Sequence, residues 1–251
     1  MTADVAADWP VAAGPDWPAR VGAFTTTRGD APGFGFNLGD HVGDDPDQVA
    51  RRRRLLAGRA GLSGIQWLRQ VHGVRCVEAT ATSVTGDVPE ADAAWTRARG
   101  VGVAVLTADC VPLVVAAADG SAVGVAHGGW RGLVGGVVGA LLSAMPVAAG
   151  DAVAWIGPAI GPDAYEVGDD VAAAVRALPG VGGPGGEEVL RIGRRPDRYQ
   201  LDLFALTRAL LAQAGVTRII TDRLCTHDDP RFYSYRREGE TGRMATLAWL
   251  D

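Results

Sequence analysis

LTADCVPLVVAAADGSAVGVAHGGWRG, residues 106–132, holds two apolar runs around a tight turn. Its valine-rich runs read as β-strands, and Asp119-Gly120 reads as the two-residue turn that joins them. VGVAVLTADC, residues 101–110, reads as a further β segment just before them. Each run of the hairpin also delivers one reactive side chain, Cys110 or His127, beside small residues. Packing alone does not ask for a cysteine and a histidine at the ends of a hydrophobic hairpin. The pair therefore points to chemistry in the space between them.

Outward from this hairpin, helices and strands mix. Upstream, Asp44 or Asp45 can cap a helix with Pro46 in its first turn and Gly61 at its end. Val49, Leu55, Leu56 and Ala60 make its expected inner stripe, and the arginines at 51–54 point around it as a solvated run. GIQWLRQVHGVRCVEA, residues 64–79, is an apolar, β-branched stretch. Downstream, residues 133–145 read as one buried helix loosened by Gly135, Gly136 and Gly139. A buried strand near 152–161 runs into a Gly-Pro loop, and a helix follows near 169–178. PGVGGPGGEE, residues 179–188, reads as the most mobile loop. An amphipathic helix at 202–215 buries Leu203, Ala205, Leu206, Leu210 and Leu211 and stops at Gly215. RIITDRLCTH and MATLAWL read as closing strands. With no repeat and no clean linker, the expectation is one mixed α/β (α+β) domain over residues 1–251.

Composition narrows the function. The apolar fraction of 47% supports an ample core, and a net charge of −5 argues against nucleic-acid or anionic-membrane binding. No window is apolar enough to cross a membrane, and the first residues lack a signal peptide's basic start and apolar middle. Three cysteines make no disulfide framework, so a cytoplasmic home is expected. All 24 basic residues are arginine. Whatever the cause, and codon bias is the simplest, this removes the P-loop lysine and any Schiff-base lysine.

The four histidines, His41, His72, His127 and His227, each sit beside glycine or in a polar loop at the end of an apolar run. A lone histidine is more often a satisfied structural residue than a ligand. Three metal-type residues, His72, Cys110 and His127, all at expected strand ends, shift that balance. They lie 38 and 17 residues apart, unlike the close CxxC pairs of a zinc finger. Two imidazoles and a thiolate suit tetrahedral zinc and leave the fourth position for water or substrate.

RQVHG (residues 69–73), TADCVPL (107–113) and AHGGWRG (126–132) resemble the YfiH-type laccase-domain family, also called the polyphenol oxidase or purine nucleoside phosphorylase family. FNLGDHVGDDP (36–46), IGPAIGPDAYEVG (156–168) and CTHDDPRFYSYRREGETGRMATLAWL (225–250) are similar to its other blocks, in order. The resemblance implies an α-β-β-α layered domain, with zinc held by His72, Cys110 and His127. It also implies phosphorolysis of adenosine, inosine, guanosine or methylthioadenosine to base and pentose 1-phosphate, with deamination of adenosine in some members.

Those reactions make demands that residues can meet. Guanidinium groups grip phosphate, and Arg28, Arg131, Arg236, Arg237 and Arg243 are candidates. Phe36, Tyr233 or Tyr235 could stack on a purine, and Asn37 or Asp109 could hydrogen-bond base or ribose. Bland readings stand beside each: Arg236 and Arg237 as salt-bridge partners of nearby acids, Asn37 as a turn residue, Trp67, Trp130 and Trp155 as core. The HxE and PCxxC motifs of zinc nucleobase deaminases are missing, so any deamination needs another acid-base group, with Glu166, Asp109 and His227 as guesses.

Three rival readings follow from the same residues. Copper could occupy the zinc trio adventitiously, but four histidines cannot furnish both a blue-copper centre and a trinuclear cluster, which argues against a copper-dependent polyphenol oxidase. A cysteine hydrolase would use Cys110 as nucleophile and His127 as base, and lacks an obvious third orienting residue. A scaffold would use zinc only to hold the fold.

Overall fold

All residues of the three β segments around the quoted stretch are buried. Runs that are apolar at every position, without alternation, belong to strands covered on both faces. The computed structural model describes residues 11–30, 34–181 and 188–251 and places these runs at its centre.

In chain order the strands are β1 (Val11–Ala12), β2 (Val21–Thr25), β3 (Gly64–Gln66), β4 (Cys76–Glu78), β5 (Ala93–Thr96), β6 (Val101–Thr107) and β7 (Val111–Ala117). They continue as β8 (Val123–Gly128), β9 (Ala152–Ile156), β10 (Glu166–Gly168), β11 (Leu190–Ile192), β12 (Arg198–Leu201), β13 (Arg218–Ile220) and β14 (Met244–Leu250). The helices are α1 (Pro46–Arg59), α2 (Trp130–Gly135), α3 (Val137–Ala144), α4 (Asp169–Arg176), α5 (Leu203–Gln213) and α6 (Tyr235–Glu238).

Two large sheets carry the fold. One has the order β1-β2-β14-β6-β3 and the other β13-β9-β7-β8-β5-β4, while β10-β12-β11 form a small third sheet. Strand side chains alternate between faces. Val101, Val103 and Val105 of β6 share a core with Val114 and Ala116 of β7 and with Val123 and Val125 of β8, so this core lies between the two large sheets. The opposite faces meet helices. Ala104 and Leu106 pack with Leu56 of α1, and Leu113 and Val115 pack with Leu141 of α3 and Phe204 of α5. The result is the α-β-β-α layering that the family resemblance implies.

Several local expectations change. The segment after β8 is two helices, because Gly136 takes φ +100° between α2 and α3. That left-handed angle ends a helix and suits glycine. Residues 64–79 contribute only the short β3 and β4, and the loop between them carries His72. In α1, capped by Asp45 as expected, Leu55 points outward. The arginine run is not simply solvated. Arg52 reaches Asp44 at 2.6 Å, and Arg53 donates to the Leu38 carbonyl and stacks on Trp67. The strand expected through Cys225 stops at Ile220, leaving an isolated bridge between Ala159 and Cys225. Of the loop expected to be mobile, residues 182–187 lie outside the described residues.

Candidate metal centre and cleft

β6 belongs to one large sheet and β7 to the other, so residues 108–110 must carry the chain between layers in three steps. Asp109 makes that corner with φ +95°, a left-handed angle that an aspartate tolerates better than most side chains. Cys110 follows at once and stands at the mouth of the gap. β7 and β8 pair antiparallel with Pro112 opposite His127, which returns the histidine to the same end. His72 arrives on the β3–β4 loop, also at positive φ (+60°). Gln70 anchors that loop to β6, with its amide accepting from the Leu106 N–H at 2.7 Å and donating to the Leu106 carbonyl at 2.9 Å.

The three side chains converge. Their ligand atoms all lie within 4.8 Å of one another. Cys110 Sγ is 3.8 Å from His72 Nε2, and the two imidazole rings meet edge-on at 4.6 Å between centroids. Gly129 permits the approach, since a Cβ there would sit 2.5 Å from His72 Cδ2 and 3.2 Å from Cys110 Sγ. Two nitrogens and a sulfur at this spacing form a donor set that fits a divalent metal of zinc's softness and leaves one coordination position free.

The residues tune one another. Burial works to raise the Cys110 thiol, but the charge and hydrogen bonds of His127, with a hydrogen bond from His72, bring it down to about 6. Burial works to lower His127, but the Cys110 thiolate and the Asp92 carboxylate lift it to about 9. The metal-free pair is therefore thiolate and imidazolium near neutrality. Asp92 was not among the residues that the sequence singled out. It is fully buried, accepts from His127 Nδ1 at 2.8 Å, and also accepts from the backbone N–H groups of Val71, His72 and Gly73. The available signal was a carboxylate directly before the apolar run AAW of β5.

The trio opens into a cleft of about 760 Å³. Asp109, Arg131, Arg236 and Arg243 line it, as do Tyr235, Tyr165 and Trp130. Trp130 is thus half-buried at the site rather than wholly core. Asp109 has both oxygens engaged, by Thr226 Oγ1 and by the Arg236 N–H, each at 2.7 Å. Arg236 stacks on Tyr165 and donates to the Glu166 carbonyl.

The remaining candidates lie elsewhere. Arg28 and Arg237 both pair with Glu238, and neither lines the cleft. Asn37 is buried, with its side chain bonded to Gly39, Asp44 and the Arg243 N–H. Phe36 and Tyr233 are buried away from the cleft lining. Glu166 pairs with Arg195, and His227 with Asp228. Neither joins the trio.

Residues 21–251 match the family described as multi-copper polyphenol oxidoreductase laccase. The chain belongs to that family. Among the family's relatives, purine nucleoside phosphorylase PA4543 of Pseudomonas aeruginosa is 41% identical over 244 residues, covering 94% of this chain and 97% of the relative. Purine nucleoside phosphorylase YfiH of Escherichia coli K12 is 38% identical, with the same coverage. The crystal structure of Neisseria meningitidis protein NMB0706 superposes with a TM-score of 0.88 at 39% identity, covering 96% of this chain and 99% of that one. The laccase description sits poorly with the ligands present. Among the described residues, His72, Cys110 and His127 are the one cluster of three or more metal-type side chains, so a blue-copper centre and a trinuclear cluster have no second ligand set.

Proposed function

We propose that this chain is a zinc-dependent purine nucleoside phosphorylase. It would split adenosine, inosine, guanosine or methylthioadenosine with phosphate into base and pentose 1-phosphate. The observation that carries the reading is one cleft in which a three-ligand metal site faces several arginines. The chain's similarity to purine nucleoside phosphorylases of Pseudomonas aeruginosa and Escherichia coli supports it.

His72, Cys110 and His127 hold the zinc; copper is an adventitious substitute there. When bound, zinc supplies a Lewis acid at the cleft floor. Phosphorolysis joins a phosphate oxygen to the anomeric carbon as the bond from that carbon to the purine nitrogen breaks. The electron pair leaves on the purine, which takes up a proton. Arg131 suits the incoming phosphate: it lies exposed on the cleft, stacked on Trp130 at 4.5 Å, and ion-pairs with no described residue. Arg243 is held by the carbonyls of Thr241 and Gly242 with its guanidinium on the cleft, and Arg236 approaches from α6. Asp109, both oxygens engaged, acts by positioning Arg236 and Thr226. Tyr165 and Tyr235 offer aromatic surface to the purine. Burial pushes the Tyr165 hydroxyl up to about 12, so it stays a hydrogen-bond donor.

Chromatography of adenosine incubated with zinc-loaded protein, with and without phosphate, tests the reading, alongside Cys110→Ala to exclude a contaminating enzyme. Adenine formed only with phosphate and only by the wild type supports phosphorolysis. Inosine formed without phosphate would establish adenosine deamination in the same cleft. No product from any purine nucleoside would overturn the reading.

One observation favours a second reading, the cysteine hydrolase. Asp92 on His127 supplies the orienting third residue that the sequence did not offer. His72 separates the two. A hydrolase would survive chelation and His72→Ala, whereas the zinc enzyme would lose activity to both. The three unpaired cysteines accord with a reducing, cytoplasmic setting, and no described helix is long and apolar enough to cross a membrane.

A further inference from the structure

We infer that Asp92 is the positioning residue for both histidine ligands at once, and that the metal affinity of the site depends on its carboxylate. This rests on the zinc reading above. Its motive is the distribution of four hydrogen bonds over two oxygens. Oδ1 accepts from the His72 N–H at 2.9 Å and from His127 Nδ1 at 2.8 Å. Oδ2 accepts from the N–H groups of Val71 at 3.1 Å and Gly73 at 2.7 Å.

Two consequences follow. The bond to Nδ1 makes that nitrogen of His127 the proton carrier, so Nε2 is the atom left to bind metal. The three backbone bonds gather consecutive N–H groups of the β3–β4 loop onto one anion. They hold His72 at φ +60°, a left-handed angle that a free loop would seldom populate. The His72 residue is exposed, with its ring set edge-on to His127 and close against Gly129. Its aim is set through its backbone, and Asp92 sets the backbone. The loop is also tied to the strand that carries the second histidine, since the His127 N–H donates to the Asp92 carbonyl at 2.7 Å. A hydrolase needs only the contact to Nδ1. The grip on residues 71–73 also aims His72, which a metal site requires.

Asp92→Asn separates the functions of the two oxygens. The remaining oxygen can still receive His127, but the new amide group would face the N–H groups of Val71 and Gly73, donor against donor. Zinc affinity of the purified variant would be measured by competition with a chromophoric chelator, and thermal unfolding of the metal-free forms would report whether it folds. A folded Asp92→Asn protein that binds zinc roughly 10- to 100-fold more weakly than wild type is the expected result. Equal affinity in a folded variant would overturn the inference, because a role in folding alone leaves the folded site intact.

Should the variant fail to fold, the wild type decides. Long-range ¹H–¹⁵N spectra of the zinc-loaded protein should show His127 protonated at Nδ1 and coordinated through Nε2, and the reverse assignment would overturn the inference. A wild type that binds no zinc would instead bring down the zinc reading itself, with this inference following it.

Discussion

Cys110 Sγ lies 3.8 Å from Nε2 of His72, although 38 residues of chain separate them. Neither residue is brought there by local structure. A three-residue corner between sheets delivers one, and a loop gathered on Asp92 delivers the other. Removing any of the three ligands should therefore abolish tight zinc binding without unfolding the layers behind it. His72→Ala, Cys110→Ala and His127→Ala are each expected to weaken zinc more than the roughly 10- to 100-fold loss typical of a supporting partner. Metal content after dialysis, with circular dichroism as the control, checks this.

Metal binding should release protons in a pH-dependent number. Without metal, Cys110 titrates near 6 and His127 near 9, so between those values the pair carries a thiolate and an imidazolium. Metal takes thiolate and neutral imidazole, so about one proton should leave His127 per zinc bound near pH 7.5. Below about pH 6 the thiol is protonated as well, a second proton must leave, and affinity falls. Above about pH 9 the release should vanish. Calorimetry in two buffers of different ionisation enthalpy measures the count, and a constant zero across this range would contradict the ion pair.

The glycines divide into those that make room and those that do not. Gly129→Ala would drive a Cβ into His72 and Cys110, and is expected to depress zinc affinity and activity together. Gly139→Ala, at an exposed position of α3 with nothing within 4 Å of the new atom, should raise stability by about 0.5–1 kcal/mol. Thermal melts and zinc titrations of both variants distinguish the cases.

Arginines on the cleft should differ from arginines beside it. Arg131→Ala, and to a lesser degree Arg243→Ala, are expected to raise the KM for phosphate. Arg28→Ala removes a partly exposed pair with Glu238, worth no more than about 1 kcal/mol, and should leave phosphate KM unchanged. Initial rates against phosphate concentration decide it; equal effects in all three variants would place the phosphate elsewhere.

Asn37 should matter through structure. Its amide holds Gly39, Asp44 and the Arg243 backbone in a fully buried setting, so Asn37→Ala leaves several polar groups without partners. A loss of about 2–3 kcal/mol in denaturant unfolding is expected. A stable variant with a selective rise in nucleoside KM would instead return Asn37 to the substrate.

The central strands and the three residues of the candidate trio were legible because each carries its signal locally. The valine runs are apolar at every position, as strands buried on both faces must be, and Cys110 and His127 stand where those runs end. Asp45, Pro46 and Gly61 likewise mark α1 within a few residues. Asp92 was not legible, for nothing in EADAAW says that its carboxylate faces two other segments. The same limit applied to the arginines. Arg28 and Arg131 look alike in sequence, and only their neighbours, Glu238 for one and the open cleft for the other, tell them apart.

The sequence by itself determined the candidate donor set, two imidazoles and one thiol, with Cys110 and His127 at the ends of buried strands, and the absence of lysine chemistry. It also marked α1, α5 and the central strands β6 to β8, since period and caps act over a few residues. Tertiary structure alone decided the layering of two sheets, the corner at Asp109, and the meeting of His72, Cys110 and His127. It also decided which arginines face the cleft and how Asp92 binds both histidine segments. Such contacts join residues far apart in the chain, and their energies depend on distances of a few ångströms that no local pattern encodes.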